Sequence, residues 1–107
     1  MKDYLIQASY TPEALTALIK NPHNREDAIR PAVEKVGGKL KAAYFAFGEY
    51  DVVILLSFPS DVEAGALALA VAASGGLRSV KTTPLMGMAE SMEAIKKAAS
   101  TGYKPPK

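Results

Sequence analysis

The strongest constraint on the fold is an uninterrupted apolar segment near the middle of the chain. Residues 52–56 are all aliphatic, and Pro59-Ser60-Asp61 follows soon after with the signature of a helix start. An apolar run of this length, without alternation, is typical of a strand that is buried on both faces. The segment Asp51 to Phe58 is therefore predicted to be a central strand of a sheet.

The segments on either side predict the order strand, helix, strand, strand, helix, strand. Glycine pairs and proline-containing turns separate these segments, because such residues end helices and strands. Pro31 lies within the first helical region and predicts a kink or a restart near Arg30. The predicted strands are 3–10, 39–47, 51–58 and 77–83, and the predicted helices are 12–20, a second segment resuming after Asn21-Pro22 and ending at Gly37-Gly38, 61–73, and about 89–100.

This order predicts an α+β protein with the ferredoxin-like βαββαβ topology. Right-handed crossovers give a four-stranded antiparallel sheet in the order 4-1-3-2, with a further C-terminal helix. Positive charges support that order, because Lys39 and Lys41 fall on the second strand and Arg78 and Lys81 on the fourth, where charged edges discourage unwanted pairing. Residues 1–107 are predicted to form a single domain, with an extended or disordered tail at 102–107.

Composition argues against several classes of partner. The 107 residues include no cysteine, which excludes disulfides and thiolate metal sites and favours a cytoplasmic location. A net charge of +2 with 22% charged residues does not suit a nucleic-acid-binding surface. We identify no secretion signal and no apolar stretch long enough for a membrane span, so neither a membrane nor a nucleic acid is expected as a partner.

The face of the sheet that the helices leave open is predicted to be partly apolar, because each strand carries hydrophobic residues on both sides. A bare apolar face is an association surface, so we expect self-association into a homodimer or a higher homo-oligomer. The last helix carries Met88, Met92, Ile95 and Ala99 at helical spacing. This helix could reach over a partner or cover the open face of its own chain.

The hairpin between the second and third strands carries Gly48-Glu49-Tyr50-Asp51, in which Glu49 separates the glycine from the tyrosine. This motif resembles that of the GYD domain family, and the resemblance extends over nearly the whole chain. The other similar segments are 4–11, 19–22, 37–40, 46–48, 80–85, 102–103 and 105–106. The resemblance implies a bacterial protein with a ferredoxin-like fold related to the dimeric α/β-barrel proteins, and it implies no established activity.

Three residues are candidates for catalysis. Tyr50 and Asp51 could form an acid–base pair at the hairpin exit, although a role in the turn is the favoured interpretation. His23 is the only histidine, so no multi-histidine metal site is expected, and no cofactor is predicted. It could act as a lone base or, as in some relatives of this fold, as a haem ligand, but a place at a polar helix start is favoured.

Polar residues within the apolar strands are candidates for a small-molecule site. Gln7 and Ser9 share one face of the first strand, so they either bond each other or a water, or they line a pocket. The predicted ligand-binding set is Gln7, Ser9, Tyr44, Phe47 and Tyr50. Three functions stay open: a homo-oligomeric module with a small-molecule pocket between sheet and helices, which is preferred; a cofactor-poor enzyme resembling monooxygenases or isomerases; and a structural self-assembling protein.

Overall fold

The computed structural model describes residues 1–106, which form four strands and four helices. The elements in chain order are β1 (Lys2–Tyr10), α1 (Pro12–Lys20), α2 (Arg25–Lys35), β2 (Lys39–Phe45), β3 (Val52–Phe58), α3 (Asp61–Ala73), β4 (Leu77–Leu85) and α4 (Met88–Ala99). Residues 102–106 of the predicted tail form neither helix nor strand, and Lys107 lies outside the described residues.

The four strands form one antiparallel sheet in the order β2-β3-β1-β4. Read from the opposite edge, this is the predicted order 4-1-3-2, so the ferredoxin-like α+β fold is confirmed. The apolar strand β3 lies inside the sheet, whereas Lys39 and Lys41 on β2 and Arg78 and Lys81 on β4 lie on the two edge strands. The element order and the charge pattern therefore lead to the same topology.

Strict alternation in the two central strands separates the faces of the sheet. The even-numbered side chains of β3, and those of β1 from Tyr4 onward, are buried against the helices, and most odd-numbered ones lie on the open face. Leu56 and Phe58 are fully buried, and the rings of Tyr4 and Phe58 meet edge to face with centroids 5.7 Å apart. The buried even-numbered set is Tyr4, Ile6, Ala8, Tyr10, Val52, Ile54, Leu56 and Phe58.

Several predicted boundaries differ from the structure. Strand β2 ends at Phe45 rather than Phe47, because the chain turns earlier and the Ala46 N–H donates to the Asp51 carbonyl oxygen at 2.7 Å. Helix α2 continues through Pro31 without a restart, although proline lacks the amide donor that a helix interior normally uses. Strand β4 extends to Leu85 and includes Pro84, which an edge strand accommodates.

The glycine pair after α2 ends the helix and lets the backbone pass close to the core. Gly37 has a φ of +83°, its N–H donates to the Glu34 carbonyl oxygen, and the Gly38 N–H donates to that of Val33. This is the Schellman arrangement. Gly38 then passes against the ring of Phe58, so closely that an added Cβ would lie 2.5 Å from Phe58 Cε1.

We expect Gly38→Ala to lower the free energy of unfolding by about 1–3 kcal/mol, because the buried Phe58 ring cannot retreat without disturbing Tyr4. The matched control is Gly65→Ala in α3, where an added Cβ meets no atom within 4 Å. In the control variant, the free energy of unfolding should rise by about 0.5–1 kcal/mol, because alanine has a higher helix propensity than glycine. Urea unfolding followed by circular dichroism measures both, and equal midpoints for the two variants would contradict the packing described.

Two carboxylates link the start of β1 to its neighbours. Asp3 accepts hydrogen bonds from Ser57 Oγ at 2.6 Å and from Lys41 Nζ at 3.2 Å, and these contacts hold the pKa of Asp3 below its ordinary value of 3.8. Asp61 accepts from the Tyr4 hydroxyl and from Lys2 Nζ, which lower its pKa in the same way. Both carboxylates are solvent-accessible, so their contributions are modest.

Asp3 should make stability depend on pH in the acid range. Because its pKa is lower in the folded chain, the unfolded chain takes up the proton first, and the stabilisation is lost as the pH falls below about 3.8. In Asp3→Asn, the free energy of unfolding should vary less steeply with pH in that window. Glu49→Gln, at an exposed loop site outside any ion pair of residues 1–106, serves as control and should keep the wild-type slope.

Candidate functional site

A cavity of about 620 Å³ lies between the helix-covered face of the sheet and the helices α1, α2 and α3. This volume is within the range of small-molecule sites, about 300–1,000 Å³. Its floor is formed by Ile6, Ala8 and Ile54 of the central strands, and Leu67 and Val71 line it from α3. The interior is therefore almost entirely apolar.

Short side chains on the helices leave this space open. Ala17 of α1, Ala32 of α2 and Ala70 of α3 all line the cavity. At the other end of α3, Ala64 is buried at 4% exposure, so the helix there lies close to the sheet. The same residue type thus gives close packing at one end of α3 and leaves a void at the other.

The rim of the cavity is polar and comes from the segment that joins α1 to α2. Asn21, His23 and Arg25 all contribute to it. A second, smaller cleft of about 290 Å³ adjoins the first, reaches β2 at Tyr44, and shares His23 and Arg25 with it. Arg25 therefore lies where the two spaces meet, with an aliphatic interior on one side and β2 on the other.

Hydrogen bonds fix the orientation of Arg25 and define the protonation of His23. The Nδ1 atom of His23 lies 3.0 Å from the Asn21 carbonyl oxygen, and its Nε2 atom lies 2.8 Å from Arg25 Nη1. A carbonyl oxygen can only accept, so Nδ1 carries the proton, and Nε2 must accept from the guanidinium. His23 in this arrangement is neutral, and it holds one nitrogen of Arg25 in place.

One buried donor of the guanidinium is unsatisfied. Arg25 Nε is buried and has no hydrogen-bond partner among residues 1–106. Arg25 belongs to no ion pair in that part of the chain, and the neighbouring Glu26 is engaged by Arg30. A buried donor without a partner costs about 1–3 kcal/mol, and native structures rarely contain one without a reason.

Of the predicted site residues, Gln7 and Ser9 lie away from the cavity. Both belong to the odd-numbered set of β1, whereas the cavity is floored by even-numbered residues. Ser9 is buried and its Oγ donates to the Glu49 carbonyl oxygen at 3.0 Å. The described geometry thus gives Ser9 a structural bond between β1 and the hairpin loop.

Tyr50 and Asp51 lie in the loop between β2 and β3 and line neither the cavity nor the cleft. Asp51 joins this loop to the end of β1, because its Oδ2 accepts from the Tyr10 N–H at 2.9 Å and its own N–H donates to the Ala8 carbonyl oxygen. These bonds match the turn interpretation of Asp51.

Of the other predicted residues, some line the rim of the cavity or the cleft and one is exposed to solvent. Tyr44 borders the smaller cleft and is 66% exposed, while Phe47 projects from the hairpin loop and is 94% exposed. His23 lines both spaces. The structure therefore brings His23 and Tyr44 near one another, and leaves Gln7, Ser9, Phe47, Tyr50 and Asp51 elsewhere.

Sequence reasoning missed Arg25, which is the central polar residue of the rim. One signal pointed to it: Arg25 is the first residue of α2, directly after the N-cap Asn24. Positive charge at a helix N-terminus opposes the helix dipole, so acidic residues such as Glu26 and Asp27 are the usual choice there. A residue that breaks a local rule without local benefit is a candidate for function.

Other site types find no support in the described part of the chain. None of the helices in residues 1–106 combines the length and the apolar character needed to cross a bilayer. Within the same residues, no three histidine or acidic side chains are grouped so that they could hold a metal ion.

Comparison with solved structures supports the fold. The C-terminal domain of the MgtC protein from Mycobacterium tuberculosis is similar with a TM-score of 0.59 at 12% identity, over 79% of this chain and 88% of that one. The transcriptional regulator NMB0573 from Neisseria meningitidis, solved as an L-Met complex, has a TM-score of 0.54 at 17% identity, over 81% of this chain and 51% of the regulator. These identities are too low to establish more than a shared fold.

Comparison with family models identifies the relatives of the chain. No curated protein matches this sequence significantly. The model of the GYD domain, by contrast, matches residues 4–95, which include β1 from Tyr4 onward, the other three strands in full and most of α4. The resemblance expected from the sequence motifs is confirmed, and the chain belongs to the GYD domain family.

Proposed function

We propose that this protein is a homo-oligomeric module, most simply a symmetric dimer, in which each chain binds a small molecule in the cavity between the sheet and the helices. The observation that carries the proposal is the cavity itself, with its aliphatic interior and polar rim at His23 and Arg25. A mostly apolar pocket with a few converging polar groups is the usual form of a ligand site.

The enzyme alternative has less support from the geometry. Of its three candidate residues, only His23 lines the cavity, and both ring nitrogens of His23 are already engaged. Binding without chemistry therefore accounts for the cavity with fewer assumptions. The regulator from N. meningitidis, which shares the fold, is itself described as a complex with the small molecule L-Met.

The open face of the sheet supports the homo-oligomeric part of the proposal. Leu5 of β1 pairs with Leu55 of β3, and Val53 lies diagonally next to them. All three are only partly buried. Asp3 and Lys41 lie near one end of it as an ion pair, so the apolar patch has a charged border. A patch of this kind is self-complementary across a two-fold axis.

Helix α4 supplies a second apolar surface for the same contact. No α4 residue is buried, and the stripe of Met88, Met92 and Ile95 is 84%, 52% and 60% exposed. The radius of gyration of 17.0 Å exceeds the value of about 13 Å expected for a compact domain of this length. Helix α4 and the tail therefore extend away from the body of the chain.

The area that two sheet faces could bury is too small for a stable dimer, so we propose that α4 contributes to the same interface. Strands about 4.8 Å apart and seven residues long give a four-stranded face of roughly 19 by 24 Å, so two such faces bury about 900 Å² in total. Stable interfaces bury about 1,200–2,000 Å². The stripe on α4, laid on the second chain, supplies the missing area.

The ligand-binding part is tested by filling the cavity. Ala70→Leu places a larger side chain on the cavity wall, and it should weaken binding of the uncharged fluorophore Nile red at least about tenfold, because the apolar space is then occupied. Ala72→Leu is the matched control on the same helix, since Ala72 is exposed and does not line the cavity. Fluorescence titration measures both affinities.

The outcome that would contradict a ligand site is clear. Wild-type protein without Nile red binding, and without any retained small molecule in native mass spectrometry of protein from its own host, would remove the basis of the proposal. Equal weakening by Ala70→Leu and Ala72→Leu would show that the probe binds somewhere other than the cavity.

The assembly part is tested by placing charge on each apolar surface. At micromolar concentration, sedimentation velocity should give the wild type at least twice the mass of one chain. Leu55→Lys on the open face and Met92→Lys on α4 should each yield monomers, because a buried, unpaired lysine is strongly unfavourable. Leu69→Lys is the control, since Leu69 is 74% exposed on the outer side of α3.

A wild-type monomer at that concentration would overturn the dimer. Dissociation by Leu69→Lys to the same extent as by the two interface variants would instead show a contact through the helices. Circular dichroism of each variant checks that the chain is still folded.

A further inference from the structure

We infer that the cavity selects an amphipathic carboxylate, with the carboxylate bound by Arg25 and the apolar portion inside the cavity. The inference rests on the proposed function and deepens it, because it names the chemical class of the ligand. It is carried by a separate observation, the unpaired edge of the Arg25 guanidinium.

The geometry of Arg25 leaves a specific donor pair free. A guanidinium presents its donors in a fixed planar fork, and Nε and Nη2 form one of its two-donor edges. His23 engages Nη1, which lies outside that edge. The buried Nε has no partner within the described residues, so the edge that remains is the one that matches two carboxylate oxygens.

The charges around the rim favour a ligand with a single negative charge. Among residues 1–106, Arg25 is the one cationic side chain that lines the larger cavity, and His23 is neutral while it accepts from Arg25 Nη1. Glu26 borders the smaller cleft, but Arg30 neutralises it. One unpaired positive charge balances a carboxylate, whereas a phosphate monoester carries up to two charges and needs further donors.

The rest of the ligand must be apolar, because the side chains that line the cavity beyond Arg25 are apolar. Ile6, Ile54, Leu67 and Val71 offer no hydrogen-bonding side chain, so a polar group placed among them would lose its water without compensation. A molecule with a carboxylate at one end and an aliphatic or aromatic body therefore matches both Arg25 and the apolar interior. A highly polar acid such as a small dicarboxylate does not.

The test compares decanoate with decanamide, a neutral molecule of the same length and head-group shape. Displacement of Nile red should give decanoate at least about tenfold higher affinity, since only the carboxylate forms charge-assisted bonds to Arg25. Arg25→Met should remove that advantage and leave decanamide affinity within about threefold of wild type. Arg25→Lys, which keeps the charge without the fork, should restore only part of it.

Arg78→Met is the control, because Arg78 is exposed on β4 and lines neither space. It should leave the affinities for decanoate and decanamide unchanged. Decyl phosphate tests the other source of anionic chemistry and should bind no more tightly than decanoate.

The outcomes separate the ligand class from the binding function. If decanoate and decanamide displace Nile red equally and Arg25→Met alters neither, the carboxylate inference fails while the cavity remains a binding site. Much tighter binding of decyl phosphate would also overturn it. If Nile red itself does not bind the wild type, the proposed function fails as well.

Discussion

The whole arrangement depends on the alternation of side chains in β1 and β3. From Tyr4 onward their even-numbered residues meet the helices, and the largest fully buried side chains of the core include Tyr4, Leu56, Phe58 and Val33 of α2. Burial of an aliphatic or aromatic side chain contributes about 1.5–3 kcal/mol, so this row supplies much of the stability. A shift of one residue in either strand would exchange the two faces. The covered face, the open face and the floor of the cavity all follow from that one register.

Most of the fold could be predicted because its signals are local. The apolar run in β3 placed that strand inside the sheet, and the glycine pair 37–38 marked the end of α2. Helix α1 was predicted at Pro12–Lys20, and the structure has the same bounds, because Thr11 caps it through a bond from the Ala14 N–H at 3.1 Å. Boundaries failed where tertiary contacts decide them. The early end of β2 depends on the bond between Ala46 and Asp51, which composition does not reveal.

The site was harder to predict, for a physical reason. Alanines on α3 are consistent with close packing and with an empty space, and only the positions of the neighbouring helices separate the two cases. Gln7 and Ser9 were chosen as polar residues in apolar strands, but the face they occupy is not the one that the cavity uses. Arg25 has an unusual position at the start of α2, yet its importance comes from a bond to His23 and an unpaired Nε, which only coordinates reveal.

Helix α1 has none of its nine residues buried, although it forms one wall of the cavity. Stability is unevenly distributed in proteins, and elements with few buried contacts open at the lowest free energy. The two ends of the site therefore differ in stiffness. The bond from His23 orients the guanidinium, whereas the adjacent helix α1 contributes no buried residue. In the proposed function, such a site would select a ligand more strictly by its charge than by its size.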